Sequence, residues 1–563
     1  MYMEQTIEKF NVSSHTHQVK NQPRSLENYN LFVQDPALQH WITTYGANWA
    51  HDDLINFGRT AGQPASIELG AQANRHAPEL FTHDRFGHRI DEVRFHPAYH
   101  QLMTQSISNG LHASHWQQPG AGAQVARAAK FYLQTQVEAA HCCPITMTSA
   151  AVPALQHQPE VAALLLPKLF SNCYDQRNIP MEQKVGITIG MAMTEKQGGS
   201  DVRSNETRAN PIGSAGPGNA YELVGHKYFV SAPMSDAFLV LAQAKGGISC
   251  FLLPRWRPDG TKNPLELQRL KNKMGNVANA SSETELRGAY ATLIGEEGRG
   301  IATILDMVAM TRVDCMIGSA GAMRQAVAQA SHHCVQRSAF GKPLNQQPLM
   351  QNVLADLIIE HEAALALSMR TAHALDMAEH DPQQKQFLRL GTAVGKYWIC
   401  KRTPSHAFEA MECLGGSGVM EDCIMPRLFR ESPINSIWEG SGNVQCLDMI
   451  RAIEKEPQCL EAYLDEIKLA ASGDRQFDRY VTALEKEFNV RDNLQYRARI
   501  LTQKLALAMQ GSLLLRQGNS AISDAFCASR LSPQSDGLVY GNLPHGLDLA
   551  AIIKRATPLM STQ

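Results

Sequence analysis

No stretch of the 563-residue chain approaches about 18 apolar residues free of charge, so no membrane-spanning helix is expected. The N-terminus carries Glu4, Glu8 and Lys9 where a signal segment would be basic and then apolar, and export is not expected either. Net charge is small, -2 at pH 7. That excludes a global attraction to nucleic acid or anionic membrane and leaves only local patches open. The 12 cysteines are scattered, with only Cys142 and Cys143 adjacent. None has the paired spacing of a zinc site or a disulfide framework, which points to a reducing cytoplasm. The histidines form no HExxH or other metal spacing, so no metal is expected. No GxGxxG follows a strand-like run, which argues against a parallel dinucleotide-binding sheet.

What is present divides the chain by texture. Its length calls for several domains. Residues 1–30 are polar and weakly patterned, as an arm or strap would be. Residues 36–184 read as helices with long loops, the clearest at 99–111 and 125–140. Residues 91–100, DEVRFHPAYH, read as a surface loop tied by Arg94 to Asp91 or Glu92. From 185 to 294, β-like runs at 221–230, 237–243, 247–253 and 285–294 alternate with turns and no long helix intervenes. Helical texture returns at Gly300, with long helices at 301–337, 349–377 and 383–408 and another after Glu439, which implies a bundle. Further helices are expected at 460–469, 477–488, 494–515 and 547–557, with a polar irregular loop at 518–541. The expected fold is mainly α with a central β domain. An N-terminal arm and helical domain spans 1–184, a middle β-barrel or sandwich domain 185–294 and a helical bundle 295–454. An extra C-terminal helical domain spans 455–563.

Four stretches carry candidate chemistry. In NSIWEGSGN, Glu439 stands beside Trp438 and just before a helix that Ser441 or Asn443 could cap. It is either a capping or salt-bridging acid or a base facing a cavity. In MTEKQGGSD, Thr194, the Gly198–Gly199 turn and Ser200 could cradle a phosphate or a polar ring edge, or simply turn the chain. In HHCVQRSAFGKPL, Arg337 suits a phosphate or the negative end of its own helix, Phe340 could pack on a ring, and Gly341 would end the helix. In ECLGGSG, Gly415 and Gly416 permit close approach of a ligand or chain, or form a long helix-ending loop. Cys413 and Cys446 read as buried small apolar groups.

In this order and inside a helical–β–helical frame, the four stretches resemble the acyl-CoA dehydrogenase flavoprotein family over residues 72–453. Glu439 matches the family's catalytic glutamate, with Trp438 replacing a tyrosine and Ser441 a threonine. Thr194 and Ser200 fall at flavin-contacting positions, Phe229 where a tryptophan is frequent and Ser231 where a threonine is. Arg337 and Phe340 match a cofactor-binding RxxFG motif. Gly415 and Gly416 match a double glycine that lines the cofactor of a neighbouring subunit. The resemblance adds Ser441 and Asn443 to the cofactor-binding set. Glu412 and Pro348 depart from it, standing where glutamines are usual. The family's alternative base position is Thr311 here, so Glu439 is the one candidate base. The resemblance implies FAD, a homotetramer and α,β-desaturation of a short or branched acyl-CoA, with flavin N5 as hydride acceptor.

DEVRFHP, CPITMT at 143–148, MTEKQGGSDV, NSIWEGSGN and the added C-terminal helices resemble, more narrowly, the AidB-like, alkylation-response branch of that family. This implies association with double-stranded DNA and weak dehydrogenase activity. The candidate DNA-contacting residues are Arg475, Arg479, Arg491, Arg497, Arg499, Lys504 and Arg516, with Arg530, Lys554 and Arg555 as extensions. Acidic residues interleave with them, and a solvated, salt-bridged face is the competing reading.

Overall fold

The computed structural model describes residues 16–490, 492–533 and 539–559. From residue 16 to Asp35 the chain is mostly extended and lies along the last turns of a long central helix. Asn21 donates to the Ser338 carbonyl (2.8 Å), His332 bonds the Arg24 carbonyl (2.8 Å) and Tyr29 donates to Gln325 (3.1 Å). Leu26, Tyr29, Leu31 and Phe32 are buried, so the strap is held by apolar contacts as well.

Helices α1 (Pro36–Thr44), α2 (His51–Ala61) and α3 (Pro64–Arg75) precede a hairpin of β1 (Glu79–His83) and β2 (Arg89–Arg94). Then come α4 (Pro97–Ser108), α5 (Ala123–Val137), α6 (Cys142–Leu155) and α7 (Pro159–Leu169). The hairpin corrects the loop expected at 91–100. Val93 is buried with Leu267 and Ala280 of the β domain, and buried Asp91 accepts from the Leu267 amide (3.0 Å). Asp91 pairs with Arg89 and Lys262, whereas Arg94 pairs with Glu92 (3.0 Å). The strand signal was hidden because a charge, Asp91, faces inward.

The β domain comprises β3 (Ile189–Ala192), β4 (Arg208–Pro211), β5 (Ala220–Ser231), β6 (Ala237–Ala244), β7 (Gly247–Pro254), β8 (Leu265–Leu270) and β9 (Ser281–Ile294). The pairings β6–β4, β4–β5, β5–β9, β9–β7 and β7–β6 close a ring, with β3 parallel to β6 and β8 antiparallel to β9. Tyr221, Leu223, Val240, Phe251 and Leu293 fill its interior.

The bundle is built on α8 (Gly300–Gln336), followed by a ribbon of β10 (Ser338–Ala339) and β11 (Lys342–Pro343). Then come α9 (Pro348–Met377), α10 (Pro382–Glu412), α11 (Met425–Glu431) and α12 (Gly442–Lys455). A proline opens α1, α3, α4, α7, α9 and α10, where its missing N–H costs no helical bond. A side chain at Gly321 of α8 would lie 2.8 Å from the Tyr132 carbonyl, so α5 and α8 meet backbone to backbone there.

Helices α13 (Gln458–Lys468), α14 (Arg475–Asn489), α15 (Leu494–Gln517), α16 (Ser520–Arg530) and α17 (Leu549–Ala556) complete the chain. Their apolar faces join one continuous core with α1–α5 and the bundle. Helix α16 corrects part of the loop expected at 518–541. Asn519 caps it, accepting from the Ile522 amide, and Ile522, Ala525 and Phe526 recur at helical spacing and are buried.

Candidate active site

Glu439 sits in a strained turn that its neighbours over-determine. Its φ is 58° and that of Gly440 is 94°, a left-handed pair. Buried Lys396 of α10 donates to the carbonyls of Trp438 (2.7 Å) and Gly440 (2.6 Å). Gln445 donates to the carbonyls of Glu439 (3.0 Å) and Gly440 (2.9 Å). Arg312 of α8 donates Nε to the Glu439 carbonyl (2.9 Å) and is held by Asp448 (3.0 Å). The Trp438 indole N–H donates to Asn435 (2.8 Å). Every one of these contacts binds backbone or a neighbour, which leaves the Glu439 carboxyl free to point away.

The carboxyl faces a cavity of about 740 Å³ of empty space, part of it open to solvent. Thr311 donates to Glu439 Oε2 (2.7 Å). Thus Thr311, which cannot itself be a base, positions the residue that can. Among the described residues the Glu439 carboxyl enters neither an ion pair nor a helix-capping bond; Ser441 is the N-cap of α12, with no side-chain capping bond there. Burial pushes the Glu439 pKa above the usual carboxylate range, against the Thr311 hydrogen bond and the charges of Lys396 and Arg312. Lys396 and Arg312 carry no motif in the sequence, and only their partners reveal them.

The β domain supplies a second wall. Glu195 and Lys227 form a buried pair (2.7 Å), and Glu195 accepts from the Glu206 (2.7 Å) and Thr207 amides. Against the cost of burial, Lys227 and these donors hold Glu195 at about 2. The pair anchors the MTEKQGGSD loop, which also bonds β5 through the Tyr228 amide and the Thr194 carbonyl (2.8 Å). A side chain at Gly199 would run into Thr194, whereas one at Gly198 would meet nothing within 4 Å. Ser200 is exposed and Phe229 is 44% exposed, unusual for a ring of that size. Lys271 lies 3.1 Å from the Tyr228 ring centroid and 4.6 Å from that of Phe229. Ser231 is 3.2 Å from Ser281, which accepts from Lys273 (3.1 Å). Cys143 touches Ser231 and lines the cavity with Glu439, so the two walls meet. An open hydroxyl-bearing turn beside a half-exposed ring fits a flat aromatic cofactor.

Arg337 and Phe340 lie elsewhere. They follow α8, and Thr311 to Arg337 spans roughly 39 Å of helix. Gly341 does not end the helix; α8 stops at Gln336, and Phe340 (φ 52°) with Gly341 (φ 80°) forms the two-residue turn of the β10–β11 ribbon. Such a turn needs positive φ at both positions. Phe340 is 99% exposed. Arg337 donates to the Asn21 carbonyl (2.5 Å). Gly415 and Gly416 are exposed, and a side chain at either would meet nothing within 4 Å. The Cys413 carbonyl lies 3.9 Å from Cys334 near the end of α8. Glu412 is exposed and Pro348 begins α9. Asn443 is engaged by the Arg499 Nε donor (2.8 Å).

Of the C-terminal basic residues, Arg497 and Lys504 pair with Glu487, and Arg516 pairs with Glu466 (2.7 Å). Arg530 and Arg555 turn inward to carboxylates of α9. Arg475 and Arg479 are exposed. Arg491 lies outside the described residues.

Three family models match the chain: the adaptive response protein AidB N-terminal domain at residues 21–176, the acyl-CoA dehydrogenase middle domain at 190–289 and the acyl-CoA dehydrogenase C-terminal domain at 298–454. AidB of Escherichia coli (strain K12) is 45% identical over 91% of this chain and 94% of its own length. Acyl-CoA dehydrogenase family member 11 of Caenorhabditis elegans is 30% identical over 73% of this chain and 68% of its own. The crystal structure of Caenorhabditis elegans ACDH-11 in complex with C11-CoA matches with a TM-score of 0.82 at 25% identity, over 98% of this chain and 95% of that one. The chain belongs to the acyl-CoA dehydrogenase family, in its AidB-like branch, and is an FAD-dependent acyl-CoA dehydrogenase-like flavoprotein.

Proposed function

We propose that the protein desaturates an acyl-CoA thioester between its α and β carbons, with Glu439 as the base. The observation that carries this reading is a carboxyl that faces a cavity, bonded by Thr311 and raised in pKa, on a turn locked by Lys396, Gln445 and Arg312. Thr194, Ser200, Phe229 and Ser231 hold FAD on the β-domain wall. Bound FAD supplies an acceptor for the electron pair that leaves the substrate. Glu439 takes the α-proton, and the locked turn fixes its carboxyl in place before substrate arrives. Met147, Cys143 and Trp438 give the cavity beside that carboxyl apolar wall surface. The C11-CoA complex of the Caenorhabditis elegans relative supports a thioester ligand. Anaerobic titration of the yellow protein with acyl-CoAs tests the reading: flavin bleaching is expected, and its absence across the panel would reject it.

Only ionised Glu439 is a base, so activity is expected to rise with pH through its elevated pKa. Thr311→Val removes the hydrogen bond that favours the carboxylate. The inflection of kcat/KM is expected to move to higher pH, with a loss of about tenfold at neutral pH. A pH–rate profile superimposable on that of the unchanged protein would show that Thr311 does not tune the base. The same raised pKa means that Glu439 stabilises the fold less as pH rises through it.

Arg337, Phe340, Gly415 and Gly416 cannot reach the Glu439 cavity of their own chain. They serve the FAD of a neighbouring copy, in a homotetramer. Phe340→Ser is expected to weaken flavin retention by about tenfold and to lower the oligomeric state. Flavin release on dialysis and mass by light scattering read these effects; a flavin-replete assembly of unchanged mass would reject the placement.

One observation favours a second reading. Arg475, Arg479 and Lys486 are exposed at spacings of four and seven on α14, one helical face. Their acidic neighbours are engaged, Asp478 with the Ser472 amide (3.0 Å) and Glu485 with Lys468 (2.7 Å). This face suits the phosphates of double-stranded DNA. Replacing all three by glutamine is expected to flatten the logarithmic salt dependence of DNA affinity by about 2.7. An unchanged slope would leave α14 outside any DNA contact.

A further inference from the structure

The cavity beside Glu439 holds a second carboxyl that desaturation does not use. Glu431, at the end of α11, lines it together with Glu439, Asn435 and Thr311. The hydroxyls of that lining are spent inside the protein. Thr135 donates to the Tyr132 carbonyl (3.0 Å), Thr403 to Ile399 (2.8 Å) and Ser432 to Phe429 (2.7 Å). Ser319 donates to Cys400 (3.3 Å), Thr311 to Glu439, and Thr146 to Asp314, which Arg127 also holds. Glu431 Oε1, by contrast, is buried without a hydrogen-bond partner among the described residues. Arg427, one helical turn before it, spends Nη2 on the Val137 carbonyl (2.7 Å) and leaves Nε and Nη1 without a hydrogen-bond partner among the described residues, so its charge acts on Glu431 without bonding Oε1.

Burial pushes the Glu431 pKa well above the usual carboxylate range; Arg427 and Arg430 pull it back, and the buried Glu138 carboxylate pushes it up further. Glu138 itself is paired with His141 (2.7 Å). A carboxyl that keeps its proton is both donor and acceptor. Buried polar groups are satisfied as a rule, and an unsatisfied one on a residue that lines a cavity marks where a ligand atom can complete the set.

We propose that the acyl group taken by this cavity carries a neutral oxygen, a hydroxyl or ether, beyond its β-carbon, hydrogen-bonded by Glu431. The inference rests on the dehydrogenase reading and narrows its substrate class. A plain aliphatic chain would bury Glu431 unpaired. A chain ending in a carboxylate would add negative charge beside Glu439 and Asp314, with Arg127 already committed to Asp314.

The test uses the full-length holoprotein and length-matched pairs of straight-chain and ω-hydroxyacyl-CoAs. Equilibrium binding is read from the flavin spectrum, and bleaching from the same anaerobic titrations. At one chain length the hydroxylated thioester is expected to bind about tenfold more tightly. Glu431→Gln, which still donates, keeps the preference; Glu431→Leu reverses it. Bleaching with no hydroxyl preference at any length, or a preference that survives in Glu431→Leu, overturns the inference and leaves the dehydrogenase reading standing. A preference without bleaching by any thioester supports the polar site and rejects that reading. Neither binding preference nor bleaching rejects both.

Discussion

Glu439→Gln is expected to bind FAD as before and to lose desaturation, with flavin reduction by isovaleryl-CoA slowed by about 10⁴-fold. The substitution is nearly isosteric, and the amide oxygen can still accept from Thr311 Oγ1, 2.7 Å from the present carboxyl. The turn itself does not depend on the side chain. Lys396, Gln445 and Arg312 all bind carbonyls at 438–440, so the left-handed backbone at Glu439 survives. Thr194, Phe229 and Ser231, the residues proposed to hold the cofactor, belong to the β-domain wall and are untouched. What is lost is a proton acceptor, and among the described residues of the cavity none replaces it: Glu431, which also lines it, has its pKa raised by burial and keeps its proton at neutral pH. Thr311 and Asn435 have no basic lone pair at working pH, and Asp314 is held by Arg127 and Thr146. Stopped-flow absorbance of the oxidised flavin separates the outcomes. Full flavin occupancy with an undiminished reduction rate would remove Glu439 from the reaction.

Much of this site was legible in the sequence because its parts are local. WEGSG, MTEKQGGSD and the β runs around HKYFVSA each announce themselves within about ten residues, through glycine turns and alternation. What was not legible depends on tertiary contact. Lys396 lies in the middle of a long helix with no local signature, yet it secures the turn at Glu439. Thr311 read as the absence of a base, and its hydrogen bond to Glu439 depends on the packing of α8 against that turn. Asp91 concealed a strand because an inward charge breaks the alternation that identifies one, and its compensating partners Lys262 and Leu267 are distant in sequence. Gly341 suggested a helix end, but the chain makes a ribbon first. The C-terminal basic residues left open a DNA-contacting set or a salt-bridged face, and Arg497, Lys504 and Arg516 are engaged with Glu487 and Glu466. Charge spacing on a helix cannot show which partners another helix brings.

Arg530→Met is the substitution expected to cost most stability, about 3–5 kcal/mol. Arg530 closes α16, a helix whose polar sequence has the texture of a loop, and its guanidinium reaches Asp356 and Glu360 of α9. Those carboxylates are only 3% and 4% exposed. Glu360 is also bonded by Arg402 (3.1 Å), and Asp356 accepts from the Gly541 amide (2.9 Å). Two cations therefore serve two buried anions, and Arg402 lies over the Tyr540 ring, 4.8 Å from its centroid. Methionine fills much of the volume but leaves Asp356 without its cation, so the cost is that of an uncompensated buried charge rather than of a void. The pH dependence fixes the sign. Despite burial, Arg402 and Arg530 hold Glu360 at about 2, below its ordinary value of 4.5. Its contribution is therefore present above the ordinary carboxylate range and lost as pH falls towards 2. In Arg530→Met the Glu360 pKa rises, so the variant is less stable at neutral pH and loses less on acidification. Thermal unfolding at neutral and at acid pH is expected to show the two proteins converging as pH falls. A constant difference in Tm would mean that Arg530 contributes packing alone, and equal values at neutral pH would mean that α16 is not anchored through this pair at all.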